Sequence, residues 1–566
     1  MRTSHVVGLL ALVLLAACKE EASPSGAGAV RAQEGKPGAA SKPVVLTVAY
    51  GSEKKTWLEE QARAFEQSGA KTKSGRSIRI EGKAMGSGEA VQEIVSGRLK
   101  AHVFSPASSA YIPLLNSAWT TATSRTQPLA SPGEPVLLSP IVIALWKPMA
   151  QALGWPDKPV GWADLLKVAA SKEGWGTYGH PEWGSFKLGH THPEYSNSGL
   201  LAVLAEAYAG AGKTRALSAA DVTSEKTRKM LKDIEGTVVH YGKSTGFFSD
   251  KMLQRGPGYI SAAVLYENLV IESYGKQTDA PFPLVSIYPV EGTFWSDHPY
   301  AVLDAEWVGA DEKDAAAAFL DFLKAKPAQE RALALGFRPG DPAIPIGSPV
   351  DAAHGADPKQ PQTLLEVPDA VALEKLLDVW RETKKATDII FVFDKSGSMQ
   401  GRPLAEAKVG ARKFIESLTD RDEVTLMFFD NNVYPPVGPI SIKEGRPDLL
   451  NRLDGTIAQG GTALYGATQQ AYKVARARAQ TEPGKIHAVV VMTDGKDESS
   501  TITLKDLKAG LVGEDDRAPV RIFTIAYGKG AEGSVLEQIA EAGKGSSAKG
   551  DVQDIVQVYR DMASFF

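Results

Sequence analysis

Asp394-Lys395-Ser396-Gly397-Ser398-Met399 follows directly on Asp388-Ile389-Ile390-Phe391-Val392-Phe393. The apolar run has the pattern of a strand buried on both faces of a parallel sheet. Downstream, Leu404, Ala407, Ala411, Phe414, Ile415 and Leu418 recur at helical spacing. The polar stretch therefore falls on the loop at the carboxyl end of a strand, where open α/β sheets place their ligands. One acid and two hydroxyls, Asp394, Ser396 and Ser398, sit on alternate residues with Gly397 between the serines. Oxygen side chains grouped on one tight loop suit a hard cation.

Two later pieces extend this pattern. Gly460-Gly461-Thr462-Ala463-Leu464 is a Gly-rich loop that carries a hydroxyl into a helical stretch. Ile486-His487-Ala488-Val489-Val490-Val491-Met492-Thr493-Asp494-Gly495 is another buried strand ending in an acid. Together these segments resemble a von Willebrand factor type A (VWA) domain with a metal-ion-dependent adhesion site. That family's pattern is an Asp-x-Ser-x-Ser loop, a distant Thr and a distant Asp, filled here by Asp394, Ser396, Ser398, Thr462 and Asp494. The resemblance implies that these residues hold Mg²⁺ (or Mn²⁺), the hydroxyls directly and the acids often through water. It also implies an open coordination position for an acidic side chain of a protein partner. Glu423–Asp430 and Arg521–Gly528 read as further strands, and Leu536, Ile539 and Ala540, then Ile555, Val556, Val558 and Tyr559, as helices. Strands alternating with helices give a doubly wound, mostly parallel, Rossmann-like sheet.

A chain of 566 residues is too long for one core, so two or three domains are expected. Its composition, 43% hydrophobic and 23% charged, is that of soluble globular protein. A net charge of -4 argues against a nucleic-acid partner. The one cysteine, Cys18, excludes an intramolecular disulfide. It follows a basic start, Met1-Arg2, and an apolar stretch from Val6 to Leu15 that is short for a spanning helix. Leu15-Ala16-Ala17-Cys18 resembles the lipobox of bacterial lipoproteins, which implies cleavage before Cys18 and its acylation. The expected location is the bacterial cell envelope, lipid-anchored to a membrane and facing the periplasm or the exterior. Lys19 to Lys42, poor in large apolar residues, reads as a disordered tether.

Order begins at Val44–Tyr50, a strand that runs into Gly51-Ser52-Glu53-Lys54-Lys55 and a helix bearing Trp57, Leu58, Ala62 and Phe65. Strand, polar loop and helix then repeat through Ser77–Ile80 with Ala84–Gly88, and through Ala101–Pro106 with Ala107–Tyr111. A fourth polar loop, His192–Leu200, precedes an Ala/Leu-rich helix. Gly258–Asn268 reads as a strand entering a polar turn, and Leu284–Thr293 as a crossover strand. Hydroxyls and free N–H groups at helix starts attract anions and polar ligands. The series, and above all Ser196-Asn197-Ser198-Gly199-Leu200 and Tyr288-Pro289-Val290-Glu291-Gly292-Thr293, resembles two-lobed, type II periplasmic solute-binding proteins. That resemblance implies two α/β lobes closing on a small polar or anionic ligand, with Ser52, Ser87, Ser108, Ser196, Ser198 and Glu267 as candidate contacts. Each serine could equally be a helix N-cap.

Residues 348–368, rich in Pro, Gly, Asp and Ala, read as an interdomain linker. The division is then 1–17 signal peptide, 18–42 acylated cysteine and tether, 43–347 solute-binding-like domain, 348–368 linker and 369–566 VWA domain. A helical stripe of Ala370, Leu373, Leu376, Leu377 and Trp380 packs on the second domain or bridges the two. His180, His190 and His192, with Glu182 and Glu194, have the composition of a metal cluster. Pro181 and Pro193 break any regular element there, so exposed loop histidines are expected instead. The cluster Trp146, Trp155, Trp162, Trp175 and Trp183 is expected in the core rather than as a sugar platform.

No nucleophile elbow, Walker loop or His-Glu-x-x-His helix is present in the sequence, so an enzyme is not expected. The pattern points to a lipid-anchored extracytoplasmic binding protein that has a ligand cleft in its first domain and grips a protein through Mg²⁺ in its second. The alternative is the ligand-delivery subunit of an ABC importer with an accessory VWA domain.

Overall fold

The first module contains twelve strands: β1 (Val44–Gly51), β2 (Ile78–Met85), β3 (Val103–Ser105), β4 (Glu134–Pro135), β5 (Leu137–Trp146), β6 (Leu188–Thr191), β7 (Val238–Gly242), β8 (Ala262–Tyr266), β9 (Leu284–Ile287), β10 (Trp295–Ser296), β11 (Pro299–Val302) and β12 (Arg338–Pro339). They form two sheets, of order β2-β1-β3-β11-β4 in the first lobe and β10-β5-β8-β6-β7 in the second, where β9 and β12 also pair with β5. The chain crosses between the lobes after β4, after β10 and again before β12. The structure is a computed structural model that describes residues 42–276, 280–511, 520–528, 530–550, 558, 559, 562, 564 and 565. Cys18, the signal-peptide stretch and the tether up to residue 41 lie outside the described residues, as do Ile555 and Val556 of the last expected helix.

The crossover is not where the sequence puts it. Leu284–Ile287 pairs within the second lobe, and the chain leaves that lobe only between Ser296 and Pro299. The central strand of the second lobe is β5, which hydrogen-bonds to β8 and β9. Trp146, Trp162 and Trp175 are fully buried, and Trp155 and Trp183 pack against the same core.

The second module has a six-stranded sheet of β13 (Thr387–Asp394), β14 (Glu423–Phe429), β15 (Val437–Ser441), β16 (Ile486–Thr493), β17 (Val520–Tyr527) and β18 (Ser547–Gly550). Its order is β15-β14-β13-β16-β17-β18, parallel throughout except for the antiparallel edge strand β15. Successive residues of a strand point to opposite faces. Ile389, Phe391 and Phe393 accordingly join one core with Phe414, while Ile390 and Val392 join another with Leu464 and Ala471. Helices cover both faces, which is why β13 and β16 are apolar at nearly every position.

The expected linker is laid along the second lobe rather than free. Thr293 and Leu365 exchange backbone bonds with the segment (Thr293 N to Thr363 O, 3.1 Å; Leu365 N to Thr293 O, 2.8 Å), and Ser286 N donates to Gly355 O at 2.7 Å. The helix Ala370–Thr383, which the sequence division assigns to the second domain, packs on the second lobe's helices Asn197–Ala211, Ala219–Thr223 and Glu225–Glu235. Trp380, 1% exposed, stacks edge-on against His192 and Tyr241. Arg381 pairs with Glu194, and Arg228 with Glu382. At the far end of the interface, Arg255 donates to the carbonyls of Lys544 and Gly545. One apolar core therefore runs without a break through both lobes and into the VWA sheet, from Phe104 and Leu115 through Val142 and Tyr241 to Phe391. Only a crevice of about 600 Å³, between Val95 and Arg98 of the first lobe and Lys413 of helix Arg402–Ser417, separates the other side.

Trp380→Ala removes the largest side chain at this junction. It is expected to destabilise the folded chain by about 3–5 kcal/mol, the usual range for truncating a buried aromatic. Chemical denaturation followed by near-ultraviolet circular dichroism measures it; a loss under about 1 kcal/mol would mean the junction is not packed as described.

Candidate functional site

The first candidate site is the loop after β13. Parallel pairing sets Phe393 opposite Met492 and so brings Asp394 level with Thr493. Thr493 Oγ1 donates to Asp394 Oδ2 at 2.5 Å, and Ser396 N donates to Asp394 Oδ1 at 2.7 Å. With its carboxylate held from both sides, the loop turns the serines the other way. Ser396 Oγ and Ser398 Oγ are 3.0 Å apart, and Ser398 Oγ donates to Asp494 Oδ1 at 2.6 Å. Thr462 reaches the same point: a methyl at Gly495 would lie 3.2 Å from Thr462 Oγ1 and 3.7 Å from Ser398 Oγ. Segments far apart in the chain thus converge as the sequence pattern requires.

Neighbouring contacts fix the loop. Gly397 N donates to Gly460 O at 2.9 Å, and Gly460 has φ of 76°, a left-handed turn that glycine adopts without strain. Lys395, the charged residue inside the motif, points away from the serines. Its ammonium pairs with Asp430 and lies 4.3 Å from the centroid of the Tyr434 ring. Glu498 N and Ser499 N both donate to Thr462 O, holding the Thr462 loop from the other flank. Thr493 and the Lys395–Asp430–Tyr434 group were not picked out from the sequence. The one signal for Thr493 is a hydroxyl at the end of an otherwise apolar strand.

The oxygens fit a hard cation. Burial, with Asp494 adding to it, pushes the Asp394 carboxyl up to about 6 despite the bonds from Thr493 and Ser396. Burial likewise raises Asp494. Two carboxylates are thus held close together where negative charge is disfavoured, which is what a bound dication relieves. Ser396, Ser398 and Thr462 are the residues that would hold such an ion, with Asp394 and Asp494 behind them.

The second candidate site is the seam between the lobes. Ser52 Oγ accepts from Gly246 N at 3.1 Å across it, Glu89 N donates to Tyr195 O at 3.0 Å, and Lys243 pairs with Glu89 at 2.6 Å. Gly86 and Gly88 permit the approach, since a Cβ at either would lie 2.2 Å from the Tyr195 or Glu194 carbonyl oxygen. Ser198 Oγ lies 2.8 Å from Thr191 Oγ1 and 2.7 Å from Thr245 Oγ1, with Ser196 Oγ at 3.3 Å from the same Thr245. Ser87 Oγ accepts from Ala107 N, and Ser108 Oγ from Ala110 N. Of the five candidate serines, Ser52 bonds across the seam, Ser87 stands between Gly86 and Gly88 on it and Ser196 follows Tyr195 there, whereas Ser108 and Ser198 find their hydrogen bonds within their own lobes. Glu267 does not offer its carboxylate there: Arg338 grips both oxygens, at 2.9 and 2.7 Å, and Tyr288 donates to one of them.

The sequence reading did not single out the charged floor of this seam. Glu53 and Lys54 form a fully buried ion pair at 3.1 Å, and Lys54 also donates to Pro106 O. Burial alone would raise Glu53, but Lys54 and His298 outweigh it and bring the carboxyl down to about 2. Burial lowers both Lys54 and His298. His298 Nδ1 lies 3.2 Å from Glu53 Oε1, while Asn197 Oδ1 and His298 Nε2 are buried without hydrogen bonds, leaving polar capacity at this place.

The histidines also depart from expectation. His190 is the third residue of β6 and His192 follows the strand, and both are buried. His180 is half-buried, paired with Glu182 and stacked on Trp183.

The chain belongs to the bacterial extracellular solute-binding protein family, whose model matches residues 46–338, more than half of its length. Residues 388–558 match the von Willebrand factor type A domain, so the chain joins a solute-binding domain to a VWA domain. It is 27% identical over 159 residues to an uncharacterized protein of Synechocystis, covering 28% of this chain and 36% of that protein. It is 23% identical over 469 residues to an uncharacterized protein of Mycobacterium tuberculosis, covering 79% of this chain and 66% of that protein. The chain thus spans less than two thirds of the length of either relative. Among solved structures, the sulfate-binding protein SubI of Mycobacterium tuberculosis is 20% identical with a TM-score of 0.38, covering 53% of this chain and 88% of that one. Proximal thread matrix protein 1 from the mussel byssus, with a zinc-occupied adhesion-site motif, is 19% identical with a TM-score of 0.26, covering 31% of this chain and 46% of that one. Among the described residues, no helix is long and apolar enough to cross a membrane.

The raised Asp394 pKa has a definite sign. The folded carboxyl, at about 6, holds its proton more tightly than the unfolded one near 3.8. In chelator, its ionisation therefore weakens the fold as pH rises through this window, by up to about 3 kcal/mol. The stability of Asp394→Asn relative to wild type is expected to improve by about 2–3 kcal/mol between pH 4 and pH 7 in chelator. Urea denaturation at both pH values measures it; a pH-independent difference would remove the buried-charge account.

Proposed function

We propose that this chain is an extracytoplasmic binding protein, lipid-anchored through Cys18, that joins a solute cleft to a Mg²⁺-dependent (or Mn²⁺-dependent) protein-binding surface. The observation that carries the second half is the convergence of Ser396, Ser398 and Thr462 beside Asp494. Neutral hydroxyls as the direct ligands leave the ion net positive charge, and Mg²⁺ completes its octahedron from outside the protein. The expected occupant of that outer position is an acidic side chain of the partner. Specificity then falls to the loops beside the serines, Gln400–Pro403 and Asp430–Tyr434.

The first half rests on the family and on the seam. Ser52, Ser87 and Ser196 border it, with Ser108 and Ser198 as further proposed contacts, and Asn197 Oδ1 and His298 Nε2 retain unmet polar capacity there. That chemistry suits a small polar or anionic solute. The buried Glu53–Lys54 pair is neutral overall, so discrimination would come from hydroxyls and N–H groups rather than from a fixed charge. The anchor rests on the Leu15–Cys18 pattern alone. Dual acylation gives stable membrane attachment where one chain gives marginal binding.

Calorimetric titration of the full chain with Mg²⁺ is expected to lose at least tenfold in affinity in Ser396→Ala, with an unchanged circular dichroism spectrum. Capture of an acidic partner is expected to fail in chelator. Equal titration curves for both proteins, or capture undiminished by chelator, would end the adhesion-site reading. A separate expectation concerns the anchor: Cys18→Ser accumulates unprocessed precursor, read as a mass difference against the acylated wild type. Correctly cleaved and unacylated wild-type protein would refute it.

A further inference from the structure

A group of ionisable side chains lies deep in the second lobe, apart from both sites. His190 stands near the end of β6, Glu206 in the middle of helix Asn197–Ala211 and Glu235 at the end of helix Glu225–Glu235. All three are completely buried. One nitrogen or oxygen from each lies within 4.8 Å of those of the other two. Nothing in their sequence spacing brings them together; the packing of two helices on the sheet does.

The hydrogen bonding of this group does not balance. His190 Nδ1 is 2.8 Å from Thr191 O, which can only accept. Nδ1 therefore carries the proton, and a neutral imidazole then has a bare lone pair on Nε2. That lone pair faces Glu235 Oε1 at 3.2 Å, an oxygen that is also an acceptor. Glu235 Oε2 receives the Tyr241 hydroxyl at 2.6 Å. Burial, then the Glu235 charge and a side-chain hydrogen bond with Glu235, raise the Glu206 carboxyl well above the usual carboxylate range, so without an ion it keeps a proton shared with Glu235; no other partner reaches its two buried oxygens. Buried polar atoms are almost always paired, and an unpartnered carboxylate is among the most unfavourable exceptions. Lone pairs from three side chains thus share one space with only a shared carboxyl proton between them, and none for His190 Nε2. Lys385, just before β13, feels the Glu235 charge and offsets part of it.

We propose that His190, Glu206 and Glu235 bind one divalent transition-metal ion of the Zn²⁺ or Mn²⁺ class. Two carboxylates neutralise a dication, and the imidazole favours a borderline metal over Mg²⁺ or Ca²⁺. The outer contacts already have the form such sites take. The imidazole donates its second nitrogen to a backbone carbonyl, and one carboxylate is oriented by a tyrosine hydroxyl. The Tyr241 ring also lies edge-on to Trp380, at 5.5 Å between centroids. The ion would therefore brace the face of the second lobe on which helix Ala370–Thr383 sits.

The test uses the full chain with the VWA loop disabled by Ser396→Ala and Asp494→Ala, so that only this site remains. The protein is unfolded in chelator and refolded with Zn²⁺ or with Mn²⁺, because a buried site fills most readily during folding. The expected result is one tightly held ion per chain by mass spectrometry of metals, a higher melting temperature, and at least tenfold weaker binding in Glu206→Gln. No retained ion, or retention unchanged in Glu206→Gln, overturns the proposal and leaves a carboxyl pair that shares protons. Should Glu206→Gln not fold, X-ray absorption of the Zn²⁺-loaded parent decides: a single imidazole nitrogen among oxygens supports the site, and a shell without nitrogen refutes it.

Discussion

The parallel register between β13 and β16 is the constraint from which the metal loop follows. With Phe393 opposite Met492, Asp394 and Thr493 stand side by side at the ends of adjacent strands. The Thr493 hydroxyl can then hold one Asp394 oxygen while the backbone of Ser396 holds the other. A slip of one residue would send every side chain of the strand to the opposite face. The two different cores on either side of β13 make such a slip prohibitive. The chemistry of the loop is therefore set by apolar packing well below it.

In the solute-binding module the governing fact is close approach. Gly86 and Gly88 let the first lobe press on the carbonyls of Glu194 and Tyr195. Backbone and hydroxyl groups of one lobe then meet those of the other directly. The Glu53–Lys54 pair under this seam is buried at a desolvation cost that only its mutual attraction and further hydrogen bonds offset.

What was legible in the sequence was what is local. The Asp-x-Ser-x-Ser loop and its strand are contiguous, and the runs at Ile486–Asp494 and Arg521–Gly528 are long enough to declare buried strands. Strand β5 was missed because Pro140 lies within it, and a proline argues against a strand. Here Pro140 is paired only to Trp295 of the short strand β10. The neighbourhood of His190 was misjudged for the opposite reason. Pro193 signals a break, but β6 is four residues long and already complete before it. Composition drew the 348–368 segment as a linker, yet composition cannot show that its backbone finds partners along the second lobe. Glu267 sits at a helix start, like a ligand contact, but its partner Arg338 is distant in the chain and reachable only through the fold.

The pinned segment and the bridging helix leave no slack between the modules. Helix Ala370–Thr383 seats the VWA module on the second lobe, and a crevice lies between that module and Val95 and Arg98 of the first lobe. A rotation that parted the lobes would therefore carry the VWA module along with the second lobe and change the width of that crevice. A rotation that parted the lobes would in this way also move the candidate metal loop, with no signal having to pass through the loop's own residues.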